Sequence, residues 1–106
     1  MAEPRMLELA KELLERSRKG EVNWEDAHSG AFKVRFPDIS LVIFRFSGTD
    51  YLLHLENEKG QVINRLYGYL GTPEYEILQE MYDLARRGSL DFESSIDKAF
   101  EYLRRG

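Results

Sequence analysis

Three side chains that can bind a metal ion or transfer a proton lie within four positions of one another, at Glu25, Asp26 and His28. Carboxylates and imidazoles are common metal ligands and general bases. A metal site would need three or four converging ligands, but the chain has no cysteine and only two histidines. Because Ser29 and Gly30 follow directly, we interpret the segment as a polar loop between a helix and a sheet. We therefore predict no metal, cofactor or catalytic site here.

A second pair with catalytic chemistry is His54 and Glu56, which are two residues apart in a segment that alternates like a strand. Alternation places both side chains on one face, where a histidine and a carboxylate lining a cleft can perform acid-base catalysis. The usual alternative is a partly buried histidine whose ring packs against its neighbours. An enzyme built on this pair is accordingly the third of three functional hypotheses. A histidine in an interface would also make that interface sensitive to pH.

Two glycines, Gly68 and Gly71, precede a predicted helix in the segment YGYLGTPE. Backbone N–H groups at a helix N-terminus can bind phosphate. However, no lysine follows the glycines, and Glu74 and Glu76 place negative charge at the start of the helix. We interpret the segment as a flexible connection from strand to helix.

Length and composition predict one domain spanning residues 1–106, since 106 residues suffice for one hydrophobic core. The net charge of −4 argues against a chain that binds nucleic acid over its whole surface. No apolar run approaches the ~20 residues that cross a bilayer, and no signal peptide is evident, so we expect a cytoplasmic protein with no membrane contact. The scarcity of asparagine and glutamine suggests a heat-loving source.

Three segments have helical periodicity. The first runs from about residue 4 to 18, with Pro4 in its first turn and Gly20 after its end. The second begins at Thr72 and Pro73, a capping residue followed by proline, and is predicted to end at Gly88. The last begins near Asp91, ends in two arginines, and carries one apolar stripe: Phe92, Ile96, Ala99, Phe100 and Leu103.

Between the first two helices the period changes to two, which predicts strands. The predicted strands begin at residue 31 and at Ser40, Tyr51 and Gln61, and they end at Phe36, Phe46, Glu56 and Tyr67. Their short connections favour antiparallel neighbours. We therefore predict an α+β fold, a four-stranded antiparallel meander with one N-terminal and two C-terminal helices, in the order α-β-β-β-β-α-α.

The turns suggest a register that pairs Phe36 with Ser40, Phe46 with Tyr51, and Glu56 with Gln61. The predicted core face of the sheet is almost wholly apolar: Phe32, Val34, Phe36, Val42, Phe44, Phe46, Tyr51, Leu53, Leu55, Val62 and Leu66. The predicted second face mixes apolar side chains with cations: Lys33, Arg35, Leu41, Ile43, Arg45, Leu52, His54, Glu56, Ile63, Arg65 and Tyr67. A solvated face should be more polar, so we expect this second face to meet another surface.

Three interpretations of the second face follow. A helix or the segment of Trp24 covers it, with the cationic stems reaching outward. Alternatively, it binds a protein, either an acidic partner or a second copy in a homodimer, and Trp24 anchors the contact. Finally, it binds an anionic ligand or single-stranded nucleic acid, although Tyr67 would be its only aromatic residue for stacking. Our leading hypothesis is a non-enzymatic interaction or regulatory module that uses this face, Glu56 excepted, together with Trp24.

Overall fold

The chain folds into an N-terminal helix, a five-stranded antiparallel sheet and two C-terminal helices. This confirms the predicted fold class, with one short strand more than expected. The computed structural model describes residues 4–90 and 92–105, so the predicted start of the last helix at Asp91 lies outside the described residues. The elements are α1 (Pro4–Arg18), β1 (Glu25–Asp26), β2 (Ala31–Arg35), β3 (Ile39–Phe46), β4 (Asp50–Asn57), β5 (Val62–Gly68), α2 (Pro73–Leu90) and α3 (Phe92–Arg105).

Helix α1 has the predicted bounds. Its apolar residues recur every three to four positions, and Met6, Ala10 and Leu13 are buried on one side. The helix ends before Gly20, whose φ of +71° is accessible to glycine at little cost.

Helix α2 begins as predicted, because the Thr72 hydroxyl accepts a hydrogen bond from the Tyr75 N–H at 3.2 Å. Its end differs from the prediction, since the helix continues through Gly88 to Leu90. A single glycine inside a helix costs about 1 kcal/mol, which is too little to end the helix by itself.

The segment YGYLGTPE brings α2 close to the sheet. A Cβ at Gly68 would lie 3.0 Å from the Tyr75 Cα and 3.1 Å from the Glu74 carbonyl oxygen. Gly71 turns the chain with a φ of +92°. The two glycines thus permit close packing and a turn, which accounts for them without a phosphate ligand.

Helices α1 and α2 pack on the same face of the sheet and form its core. At the centre are side chains that are fully buried, namely Leu41, Ile43, Leu53, Leu66, Leu78 and Met81. Around them, Tyr82 donates a hydrogen bond to the Gly30 carbonyl at 2.7 Å and packs edge-on against Phe32.

An ion pair joins the two helices. Arg18 donates to both carboxylate oxygens of Glu80, at 2.6 and 2.7 Å. These hydrogen bonds hold the pKa of Glu80 below its ordinary value and raise that of Arg18. Since both side chains are about half exposed, the pair orients the helices more than it stabilises the fold.

The register of β3 differs from the prediction by one residue on both sides. Arg35 pairs with Ser40, and Phe46 pairs with Asp50. A shift of one residue turns every side chain of a strand to the other face. The prediction that Leu41 and Ile43 lie on the second face is therefore wrong, and so is the placement of Val42, Phe44 and Phe46 in the core.

Both hairpin connections explain the error. Ser47 and Gly48 adopt positive φ angles of 53° and 73°, which close a tighter turn than the predicted one. On the other side, the Phe36 N–H donates a hydrogen bond to the Ile39 carbonyl oxygen at 2.8 Å, so that turn contains only residues 37 and 38 and is also one residue shorter than predicted. The two deviations move β3 in the same direction.

Helix α3 differs from the other two, since every side chain described in it, from residue 96 to 105, is exposed. Within residues 4–90 and 92–105, no helix is long and apolar enough to cross a membrane.

Candidate functional site

The side of the sheet opposite α1 and α2 is the candidate site, and we call it the open face. Its residues follow from the register. Residues that pair across β2 to β5 share a face, and successive residues of a strand point to opposite faces, so the open face holds the residues that alternate with the core residues under α1 and α2. The open face consists of Ala31, Lys33, Arg35, Ser40, Val42, Phe44, Phe46, Asp50, Leu52, His54, Glu56, Val62, Arg65 and Tyr67.

Six residues of the predicted binding set lie on the open face: Lys33, Arg35, Leu52, His54, Arg65 and Tyr67. Of these, Leu52 is only 7% exposed, so it supports the surface rather than forming it. Ile63 is 56% exposed and lies at a β-bulge, because the pairing passes from Leu55 with Asn64 to Glu56 with Val62.

Four residues of the predicted binding set are not on the open face. Leu41 and Ile43 are 1% and 0% exposed in the core. Arg45 follows the phase of Ile43 and turns to the Gly48 carbonyl, to which its guanidinium donates a hydrogen bond. The reason for all three is the shifted register of β3.

Trp24 is the fourth. It is 5% exposed within the core, and its indole N–H donates to the Ser17 hydroxyl at 3.1 Å. The side chain therefore connects α1 to the core and is not exposed on the open face. Its hydrogen bond removes the cost of burying an unpaired indole N–H.

In the first candidate cluster, Glu25 and Asp26 form β1, where a loop was predicted, and His28 lies in the turn that follows it. Glu25 accepts a hydrogen bond from Arg35 at 2.9 Å, and Asp26 accepts one from the His28 N–H at 3.0 Å. His28 and Ser29 both have positive φ angles, at 69° and 53°. Throughout the described part of the chain, no group of three acidic or histidine side chains is arranged to hold a metal ion.

Two of the cations on the open face are paired with carboxylates. The Lys33 ammonium lies 3.5 Å from Glu56, with these side chains 25% and 16% exposed, and Arg35 pairs with Glu25. For Arg65, no carboxylate partner occurs within the described ranges. The positive charge of the open face is thus concentrated at Arg65.

His54 lies at the centre of the open face. Its ring packs edge-on against Phe44 at 4.8 Å between centroids. Its Nε2 is buried and has no hydrogen-bond partner among the residues that the structure describes. Burial lowers the pKa of His54, the charge of Arg65 lowers it further, and Glu56 opposes the shift. Since Glu56 is engaged by Lys33, the arrangement lacks the His54 to Glu56 hydrogen bond that a proton-transfer pair would use.

One end of the open face carries a cluster of aromatic rings, which we call the aromatic corner: Phe46, Tyr67 and Tyr69. Tyr67 and Tyr69 are stacked with centroids 5.5 Å apart, and Phe46 packs edge-on against them at 6.1 and 6.3 Å. The two tyrosines are 41% and 51% exposed. Sequence reasoning missed Phe46 and Tyr69, although tyrosines two residues apart after a strand indicate a shared face.

Comparison with known proteins adds no functional information. The chain matches no protein-family model, no curated protein and no solved structure. The functional argument therefore depends on the geometry of the open face.

Proposed function

We propose that the protein is a non-enzymatic interaction module that binds another protein through the open face. The observation that carries the proposal is the exposed aromatic corner, on the side of the sheet that α1 and α2 leave uncovered. Tyrosine is enriched in protein interfaces because its ring buries a large apolar area while its hydroxyl stays hydrogen-bonded.

The charges support a protein partner over a polyanion. Lys33 and Arg35 already have carboxylate partners, so these two cations contribute little free charge to a phosphate backbone. An apolar centre with paired charges at its edge is typical of a surface that is desolvated when a protein binds.

The test is a substitution at the exposed rim of the open face. Tyr67→Asp should abolish partner binding while the fold is kept, because the tyrosine is 41% exposed. Gln79→Asp is the matched control, since it adds the same charge on an exposed position of α2. Tagged wild-type chain and both variants are compared for self-association by sedimentation and for captured proteins by mass spectrometry.

Loss of association or of a captured protein in Tyr67→Asp, but not in Gln79→Asp, would support the proposal. Equal capture and equal association for the wild type and both variants would contradict it. Thermal unfolding followed by Trp24 fluorescence shows whether each variant is folded.

A second candidate function is binding of an anionic ligand or single-stranded nucleic acid. The stacked tyrosines and Arg65 favour it, because aromatic rings next to a cation are what single-stranded binding surfaces use. The sequence predicted Tyr67 as the only aromatic residue for stacking, and Phe44, Phe46 and Tyr69 add further rings on the same side of the sheet. Binding of a labelled oligonucleotide that weakens with salt and with Arg65→Gln would favour this alternative.

A further inference from the structure

The chain presents a second unpartnered apolar surface, on α3. Ile96, Phe100 and Leu103 are spaced by four and three residues and so form one stripe along the helix. They are 51%, 51% and 77% exposed. An amphipathic helix normally packs its apolar stripe against another surface, because a contiguous apolar area is unfavourable in water.

The open face offers apolar contacts to such a helix. Helices commonly pack on an apolar face of a sheet. Phe44 and the aromatic corner provide apolar contacts, and buried Val42 and Leu52 lie beneath them. Helices α1 and α2 are both committed to the core side of the sheet, and within the described ranges α3 makes no extensive contact with any strand.

The two surfaces offer one complementary pair of charges, Asp97 and Arg65. Asp97, Glu101 and Arg104 lie along the same side of the α3 stripe, about 100°, 140° and 80° round the helix from Ile96. The Arg104 guanidinium lies over the Phe100 ring, 5.4 Å from its centroid. Glu101 is paired only with its helical neighbour Arg105, and no ion pair of Asp97 occurs in the part of the chain that the structure describes. On the open face, Arg65 is the cation for which the described residues provide no carboxylate partner. A helix docked along β5 would bring Asp97 to Arg65, while Arg104 stays over the Phe100 ring.

We propose that the partner of the open face is a second copy of this chain, with α3 of each copy docked on the open face of the other. The proposal rests on the proposed function, since it names the occupant of the same surface. A two-fold exchange buries both apolar surfaces of both copies in one closed assembly. It also forms two helix-to-sheet contacts for one loss of translational freedom.

Sedimentation equilibrium of the full-length chain tests the assembly. The wild type should be a dimer, and both Phe100→Asp and Tyr67→Asp should weaken dimerisation roughly tenfold or more, as expected for aromatic residues at the centre of an interface. Tyr102→Asp is the control, because Tyr102 lies about 200° round the same helix from Phe100 and is 69% exposed. It should leave the dimer intact.

Mixing the two variants tests the exchange itself. A heterodimer of Phe100→Asp and Tyr67→Asp retains one undamaged contact, between the α3 of the Tyr67 variant and the open face of the Phe100 variant. The equimolar mixture should therefore associate more tightly than either variant alone. Absence of this recovery, with both variants folded, would overturn the exchange.

The remaining outcomes separate the two proposals. A monomeric wild type would overturn the second copy as partner, whether α3 is free or folds onto its own sheet. The proposed function would still stand if Tyr67→Asp then abolished capture of a different protein. A wild-type dimer that Tyr67→Asp disrupts and Phe100→Asp does not would show that α3 is not the occupant. If Tyr67→Asp disturbed neither association nor capture, the proposed function itself would be contradicted.

Discussion

His54 shows how one buried atom couples the open face to pH. Its Nε2 is buried without a hydrogen-bond partner among the described residues, and the neighbouring Arg65 opposes protonation. Both effects favour the neutral ring, which is why its pKa in the fold lies below the ordinary value of 6.5. The protonated ring would place a charge next to Phe44 and beside an existing cation, so a protonated His54 destabilises both the fold and any contact made over it.

The first prediction concerns the pH dependence of stability. Since the pKa is lowered on folding, the unfolded chain binds more protons between the folded pKa and about 6.5. The free energy of unfolding should therefore be highest above about pH 6.5 and should decrease as the pH falls from that value toward the folded pKa. Urea unfolding followed by Trp24 fluorescence between about pH 8 and 5 measures this.

His54→Phe should keep the ring contact with Phe44 and flatten the pH profile. His28→Asn is the matched control, because His28 is exposed and asparagine tolerates its positive φ of 69°. This control should keep the wild-type profile. A profile that flattened in the control and not in His54→Phe would assign the titration to the loop.

At the scale of elements, the decisive feature is the phase of β3. Residues 41–44 are apolar at four successive positions, so either phase could have faced the helices. The structure places Ile43 at 0% exposure in the core and leaves Phe44 partly exposed on the open face. The larger side chain thus lies on the side that is not covered by α1 and α2.

The second prediction compares two truncations on this strand. Ile43→Ala should destabilise the fold by about 2 to 5 kcal/mol, because it leaves a cavity in the core. Phe44→Ala should cost less, about 1 to 2 kcal/mol, because part of the ring is already in water. Chemical denaturation of both variants gives the two values. The opposite order, with Phe44→Ala more damaging, would indicate the register that the sequence alone suggested.

For the molecule as a whole, the described parts divide into a core of sheet, α1 and α2, and an exposed α3. The principal extents of 56 × 34 × 26 Å describe an elongated shape. The radius of gyration is 15.4 Å, compared with about 13 Å for a compact chain of this length. The elongation leaves both the α3 stripe and the open face accessible.

The third prediction is that a chain ending at Leu90 folds. Its core residues are complete without α3, so at concentrations where the full chain is dissociated both should have the same unfolding midpoint. Sedimentation should show that the shortened chain is a monomer, and its midpoint should not change with concentration, whereas that of a dimer rises with concentration. A shortened chain that fails to unfold cooperatively would show that α3 contributes to the core.

The sequence alone determined the features that depend on local chemistry. Pro4 and Gly20 bound α1, and Thr72 with Pro73 starts α2, because capping and proline act on adjacent backbone groups. Periodicity distinguished the helices from the strands for the same reason. The polar turn at His28 to Gly30 was also recognised from its own residues, whereas Glu25 and Asp26, which were expected in the same loop, form β1. Gly88 marks the limit of such signals, since neighbouring residues keep that position helical.

Only the tertiary structure decided which side of β3 faces the helices, and with it the composition of the candidate site. The pattern of β3 is apolar in both phases, and the two turns differ from the predicted ones by a single residue each. Such small differences in loop closure are resolved by packing against α1 and α2, which involves residues far apart in the chain. The same long-range packing buries Trp24 against Ser17 and brings Phe46 to Tyr67. Local patterns carry no information about these contacts.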